Sequence, residues 1–305
     1  MPERDVVVAG AGVAGLTAAL FAARQGHSTA VLAPAGAGGA LLSIQEIEDF
    51  PAFPERIAGF ELVPAIQEQA EEAGAEFDAT SVTELQQRDD GWLVRTEDDE
   101  YLARTVIVAT GTRPRRLGIP GEQEFEGKGL SHCASCDGAL FRGATVAIAG
   151  GGDSGLLEAL ELTKHVAGVV LFERENELSG QATYQRRVRD SGAIAVRCRT
   201  LVEEVVGNGT VSALRVRDLA TQAVEEVPAR GLFVYVGREP ETAFLQGVVD
   251  LDEHGRVVVD AAMCTARRGL FAAGDVRTGS PGHGITAAGD GAAAAVAAGR
   301  FLRSA

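Results

Sequence analysis

Short, unbroken apolar runs that end at glycine recur along this chain and set its plan. The first, Val6-Val7-Val8-Ala9 entered through Asp5, is β-branched and does not alternate with polar residues. It therefore predicts a strand covered on both faces, as in a parallel sheet. Gly10-Ala11-Gly12-Val13-Ala14-Gly15 follows at once, and the alanine-rich stretch LTAALFAARQG then predicts a helix closing at Gly26. A second strand over Ser28 to Leu32 completes a βαβ unit. In this context the three glycines have separate uses: a tight turn at Gly10, close approach of backbone to a pyrophosphate at Gly12, and close helix–sheet packing at Gly15. An anion would sit on the helix start.

The same pattern returns about 140 residues later. Thr145-Val146-Ala147-Ile148-Ala149 predicts a strand, Gly150-Gly151-Gly152-Asp153-Ser154-Gly155 repeats the fingerprint at Gly150, Gly152 and Gly155, LLEALELTKHV predicts the helix, and Val169 to Glu173 the next strand. One such glycine pattern is a weak signal, since strand-to-helix turns favour glycine for steric reasons alone. Two in register, each between strand and helix, predict an α/β chain with two Rossmann-like dinucleotide-binding domains. Val106-Ile107-Val108-Ala109-Thr110-Gly111, Leu232-Phe233-Val234-Tyr235-Val236-Gly237 and Leu270-Phe271-Ala272-Ala273-Gly274-Asp275 are further strands running into glycine turns. Arg113-Pro114-Arg115-Arg116 and Arg238-Glu239-Pro240 follow two of these turns as domain crossovers, and ITAAGDGAAAAVAAGRFL predicts a final packing helix.

Length and charge narrow the function. At 305 residues the chain fits about two domains. Its formal net charge of −15 argues against nucleic acid and anionic membranes as partners, because both would repel it. No run approaches the roughly 18 apolar residues a membrane helix needs, and the opening MPERD is charged, so a cytoplasmic location is expected. Four cysteines, Cys133, Cys136, Cys198 and Cys264, are too few and too scattered for a secreted disulfide framework.

Only Cys133-Ala134-Ser135-Cys136 brings two of them together. A metal site would need four ligands, and His132 is the only neighbour that offers another, so no metal is expected. A CxxC at a helix start favours the thiolate, which is the species that attacks disulfides. His132 reads as a hydrogen-bonded loop histidine rather than a base, and Cys198 and Cys264 as free structural cysteines.

Taken in order, AGAGVAG, ATG, CASCD, GGGDSG, YVG and AAGDV resemble the low-molecular-weight thioredoxin reductase family of FAD-dependent disulfide oxidoreductases over essentially the whole chain. The resemblance implies an FAD domain built from residues 1–116 and 243–305, and an inserted NAD(P)-type domain, 117–242, carrying the CASC motif. It also implies a homodimer, rotation of one domain against the other, and a thioredoxin-like protein or small-molecule disulfide as partner. By the same resemblance Cys136 lies nearer the flavin, Cys133 attacks the outside disulfide, and Asp137 donates the proton. Gly10, Gly12, Gly15, Gly38, Gly39, Thr110, Gly111, Gly274 and Asp275 are then the FAD-binding positions.

Three departures from the family pattern matter. No acidic residue ends the second strand at Leu32-Ala33-Pro34. Pro281-Gly282-His283 stands where an Arg-Gln pair is usual, so one flavin and dimer contact is missing or rebuilt. The largest departure is Phe172-Glu173-Arg174-Glu175-Asn176-Glu177 in place of the His-Arg-Arg stretch that holds the 2′-phosphate of NADPH. Glu173 lies 21 residues after Gly152, where a carboxylate accepts a ribose 2′-hydroxyl and repels a phosphate. NADH is then the favoured nicotinamide, a ferredoxin-like or dithiol donor is the alternative, and NADPH comes last. Two other readings share the motifs: a dithiol oxidase using oxygen, and a non-catalytic flavin sensor. An intact CASCD argues against the sensor, since nothing structural demands the pair.

Overall fold

The computed structural model describes residues 1–304 and divides the chain into two compact units, 1–113 joined by the chain from 239 onward, and 114–238. The crossings fall a few residues before 116/117 and 242/243. There the strands Thr112–Pro114 and Arg238–Pro240 pair with each other, and Arg113 bonds Glu239 at 2.6 Å.

In the first unit the parallel strands run in the order Glu76–Asp78, Thr29–Leu32, Glu3–Ala9, Glu100–Val108, with Leu270–Ala272 pairing the last. Glu100–Val108 changes partner along its length, and its sequence changes with it. Residues 100–103 pair antiparallel with Gly91–Thr96 and alternate in burial, whereas Thr105–Val108 lie among parallel neighbours and are buried without interruption. Val6 and Val8 face a helical core with Leu16, Ala18, Ala294 and Ala298, and Val7 faces the opposite core with Leu32, Val106 and Val108.

The closing helix, Gly284–Ser304, explains its own composition. A Cβ on Gly291 would stand 2.1 Å from the Ala14 carbonyl oxygen of the helix Val13–Arg24, so the two helices meet backbone to backbone and only small residues fit between them. No helix among the described residues is long and apolar enough to cross a membrane.

The second unit holds a parallel five-stranded sheet in the order Ile194–Arg197, Gly168–Phe172, Thr145–Ala149, Leu232–Val234, Leu130–Ser131. One face packs on the helix Asp153–Leu162 through Leu156, Ala159 and Leu162. The other packs on an antiparallel sheet of Thr200–Gly207, Val211–Asp218 and Val224–Pro228 through Val202, Val205, Leu214 and Val216. Several sequence-derived strands end earlier than expected. Leu232–Val234 stops before Tyr235, Gly168–Phe172 stops before Glu173, and Asp275 lies in a single 3₁₀ turn, Gly274–Val276, rather than on a strand.

Candidate active site

Cys133 and Cys136 are joined by a disulfide in the second unit. The helix expected to begin at this motif is a single turn, Ala134–Asp137, followed by one 3₁₀ turn, Gly138–Phe141, so a long helix dipole does not act on these sulfurs. The turn is fixed instead by local groups. Ala134 is fully buried in the core beside Leu162, which anchors the motif and leaves Cys136 exposed and Cys133 half-buried. The Cys136 N–H donates to Cys133 Sγ at 3.2 Å, the Cys133 N–H donates to Ser131 Oγ at 3.1 Å, and the Asp137 N–H donates to the Cys133 carbonyl at 3.2 Å.

Asp137 stands beside the pair, its carboxylate receiving the Ser131 hydroxyl at 2.6 Å. Behind the turn, the Ala134 N–H is shared between Glu158 Oε2 and Tyr235 Oη, each at 3.0 Å. Burial raises the Glu158 carboxyl above the ordinary carboxylate range, against the lowering effect of the Ala134 N–H. Burial likewise raises the Tyr235 phenol, with the Glu158 charge acting in the same direction. Ser131 and Glu158 carry no motif of their own, and Tyr235 enters the sequence reading only within an apolar run, as the first residue of YVG. Their part emerges only when the strand Leu130–Ser131, the helix Asp153–Leu162 and the end of Leu232–Val234 meet around the turn. His132 is held through Nδ1, 3.2 Å from the Val234 carbonyl oxygen.

Cys198 and Cys264 are free and half-buried. Burial raises both thiols, joined by the charges of Glu173 and Glu177 at Cys198 and of Asp260 at Cys264. Once the disulfide is reduced, iodoacetamide at about pH 8 is expected to label Cys133 and Cys136 before Cys198 and Cys264, because the thiolate is the reactive form. Peptide mapping of a labelling time course checks the order. No group of three or more metal-binding side chains occurs among the described residues.

The first unit gathers most of the other sequence-derived positions into one place. Gly10 has φ +107°, and a Cβ there would stand 2.4 Å from the Ala109 carbonyl oxygen and 3.0 Å from Thr110 Cα. Gly15 sits on the Gly10 carbonyl, where a Cβ would come within 1.9 Å. The Gly38 N–H donates to the Ala11 carbonyl at 3.0 Å, and Gly39, φ +76°, lies against Gly12. Gly274 approaches Ala14. Around Gly12 the only atom a Cβ would meet within 4 Å is Gly39 Cα, and the helix Val13–Arg24 begins with no side-chain cap and no acidic residue in its first turn. This cradle of bare backbone at a helix start fits the pyrophosphate of a dinucleotide such as FAD. Gly111 is open on its Cβ side, but the Thr110 hydroxyl is spent on the Glu241 carbonyl at 2.8 Å. Asp275 receives the Ser280 hydroxyl at 2.8 Å, and His283 Nδ1 lies 3.0 Å from Asp49 Oδ2.

Asp290 is a buried carboxylate in the alanine-rich helix that supports this cradle and has no glycine motif to mark it. Arg277 grips it with Nε to Oδ2 at 2.6 Å and Nη2 to Oδ1 at 2.8 Å, and the Gly274 N–H adds a third bond at 3.2 Å. Removing one partner strands the other in low dielectric. Asp290→Ala is expected to cost about 3–5 kcal/mol of stability, read as a lower denaturant midpoint at unchanged m-value.

The second glycine fingerprint has the same backbone design, with Gly155 on the Gly150 carbonyl and Gly150 at φ +115°. Its surroundings differ in charge. Glu173 is buried, Oε2 accepting the Gly151 N–H at 2.6 Å and Oε1 accepting the Glu175 N–H at 3.0 Å. A Cβ on Gly152 would meet only Ser179 Oγ, at 3.7 Å. Arg174 points to solvent and pairs with Glu175 at 2.9 Å.

Comparison with known proteins gives one answer. Residues 4–291 match the family described as Pyridine nucleotide-disulphide oxidoreductase. A thioredoxin reductase from Treponema pallidum (strain Nichols) is 38% identical over 98% of this chain and 97% of its own length. A bifunctional thioredoxin reductase/thioredoxin from Mycobacterium leprae (strain TN) is 41% identical over 98% of this chain, which spans 66% of that relative's length. Among solved structures, a Lactococcus lactis thioredoxin reductase in its FR conformation superimposes with a TM-score of 0.97 at 36% identity, over 99% of this chain and 100% of that one.

Proposed function

Because this chain belongs to the pyridine nucleotide-disulphide oxidoreductase family, as a thioredoxin reductase-like flavoprotein, we propose that it exchanges electrons between FAD, the Cys133–Cys136 pair and an outside disulfide, with a donor other than NADPH. The observation that carries the disulfide chemistry is the bonded, surface-turned Cys133–Cys136 pair with Asp137 beside it.

Bound FAD would supply a two-electron carrier, held at the pyrophosphate by Gly10, Gly12, Gly15, Gly38 and Gly39. The protein's own steps follow thiol chemistry. In the reduced pair, the Cys133 thiolate attacks one sulfur of the outside disulfide and forms a mixed disulfide, and Asp137 protonates the departing thiolate. Cys136 then attacks Cys133, which releases the second thiol and restores the Cys133–Cys136 bond. Two electrons have passed from the pair to two product thiols, whose protons come from Asp137 and from the Cys136 thiol. Roles for Cys133, Cys136 and Asp137 follow the family resemblance, and the Ser131 hydroxyl holds the Asp137 carboxylate in place. A thioredoxin-like protein is the proposed partner, on the likeness to thioredoxin reductases. A homodimer is proposed on the same likeness.

The donor reading rests on Glu173. A 2′-phosphate near this buried carboxylate would meet like charge, with Glu175 and Glu177 following it in the stretch where the family pattern has its arginines. The carboxylate can accept a ribose hydroxyl, which favours NADH. A ferredoxin-like or dithiol donor is the second reading, supported by the same carboxylate already engaged with two backbone amides.

The purified protein is expected to be yellow, with about one FAD per chain. A colourless preparation that cannot be reconstituted with FAD would reject the reading. In anaerobic stopped flow, with NADH, NADPH, reduced ferredoxin and dithiols in separate runs, NADPH is expected to bleach the flavin less efficiently than NADH by about tenfold or more. Fast bleaching by micromolar NADPH would overturn the donor assignment and leave the disulfide chemistry standing.

A further inference from the structure

Two side chains from different elements converge on the backbone between the cysteines. Besides sharing the Ala134 N–H, Glu158 accepts hydrogen bonds from the Tyr235 hydroxyl and the Ser135 N–H. Both side chains are half-buried. The amides of Ala134 and Ser135 lie between the two sulfurs, and a carboxylate already takes them. Amide dipoles and nearby cations are what ordinarily stabilise a cysteine thiolate. Here the Cys136 N–H reaches Cys133 Sγ, but the Ala134 and Ser135 amides face a negative charge instead.

We propose that Glu158, oriented by Tyr235, is a positioning residue of the redox pair: by holding a negative charge on the Ala134 and Ser135 amides it disfavours a thiolate at Cys133 or Cys136 and keeps the dithiol a stronger reductant. The inference rests on the disulfide-exchange reading above. Its physical basis is the coupling of potential to the relative stability of the two redox forms. A pair whose reduced form is stabilised becomes more oxidising, and a charge that opposes the thiolate does the reverse.

The groups acting on Glu158 leave that charge unneutralised. Tyr235 donates to it and Glu161, one turn along the same helix, repels it, while Lys164 and His165 lie 2.6 and 3.8 Å from Glu161. Asp137 adds negative charge from the motif side, where it acts on Tyr235. Burial raises the proton affinity of Glu158, so the opposing charge is present above its titration and absent below it. Removing the Tyr235 hydroxyl takes a donor from the charged form and moves that titration upward.

The test is a thiol–disulfide equilibrium on the full-length protein. Wild type, Glu158→Gln and Tyr235→Phe are equilibrated with mixtures of reduced and oxidised dithiothreitol from about pH 5 to 9. The dithiol fraction is then read by alkylation and mass. At the alkaline end Glu158→Gln should favour the dithiol by about tenfold over wild type, the effect of one close charge. The difference should shrink toward the acid end as Glu158 takes up its proton. Tyr235→Phe should shift the pH at which the wild-type equilibrium bends to a higher value. Folded Glu158→Gln protein whose equilibrium stays within about twofold of wild type at every pH, or moves toward the disulfide, overturns the inference. If Glu158→Gln does not fold, an unmoved bend in Tyr235→Phe overturns it. A wild-type pair that no dithiol can reduce would instead remove the disulfide-exchange reading, and this inference with it.

Discussion

Serine at Cys133 or at Cys136 is expected to lower disulfide turnover by at least about a thousandfold, because the attacking thiol and its partner act as one unit and neither half completes the exchange. The loss should be chemical rather than structural. In Cys133→Ser the hydroxyl can take over from the sulfur that accepts the Cys136 N–H at 3.2 Å, and the buried Ala134 anchor is untouched. Melting temperatures near wild type with collapsed turnover of a thioredoxin-like disulfide would match this expectation. Substantial turnover by Cys133→Ser would show that the assigned roles are wrong. Absorbance separates the roles further. With Cys136 as the thiol nearer the flavin, Cys133→Ser should strengthen the long-wavelength absorbance of the flavoprotein and Cys136→Ser should abolish it.

The second large effect is expected from Gly10→Ala. A Cβ there would overlap the Ala109 carbonyl oxygen at 2.4 Å, and the residue would also have to keep φ +107°. Both obstacles are backbone, with no flexible side chain to move aside. Relief requires separating the strand Glu3–Ala9 from Glu100–Val108, the pairing that shapes the cradle. A strain of about 3 kcal/mol, on the order of a hundredfold in an equilibrium constant, should appear as lost FAD. Flavin content per chain after purification and dialysis against excess FAD measures it. Gly26→Ala is a comparison of the same kind: φ is +83° but no atom lies within 4 Å, so only the conformational cost applies and flavin should be retained.

What the sequence made legible, and what it did not, follows from how local each requirement is. Gly10, Gly15, Gly150 and Gly155 were readable because a single missing Cβ satisfies each need, and the residues that demand it lie at the ends of recognisable apolar runs. The CASC motif was readable as redox chemistry because its two thiols stand three positions apart, close enough to bond to each other. Its local structure was less so: the 3₁₀ turn that begins at Gly138 cuts the expected helix to one turn. Glu158 gave no sign of its place, since LLEALEL reads as an ordinary amphipathic helix and only packing against Ala134 aims this carboxylate at the motif. Tyr235 appeared inside an apolar strand run, yet the strand ends one residue before it and its hydroxyl meets the Ala134 N–H. Asp290 did have a signal, a lone carboxylate among alanines and glycines. Its partner Arg277 is 13 positions away across a turn, so the pair itself was invisible.

The division of the chain has a consequence for its biosynthesis. Residues 114–238 form a contiguous unit, whereas the unit that begins the chain is completed by the strand Leu270–Ala272 and the helix Gly284–Ser304. Domains fold as units as they emerge during translation. The inserted unit can therefore mature while the first waits, its sheet open along Val106–Val108 and the helix Val13–Arg24 uncovered where Gly291 will seat on Ala14. A nascent chain stalled shortly after residue 238 would expose an apolar sheet edge and helix face, and chaperones recognise such surfaces. Of the groups around the cofactor cradle, Gly274 and the helix Gly284–Ser304 are therefore synthesised after the whole of the unit that carries the redox turn, and a chain cut short before them would be expected to hold flavin poorly.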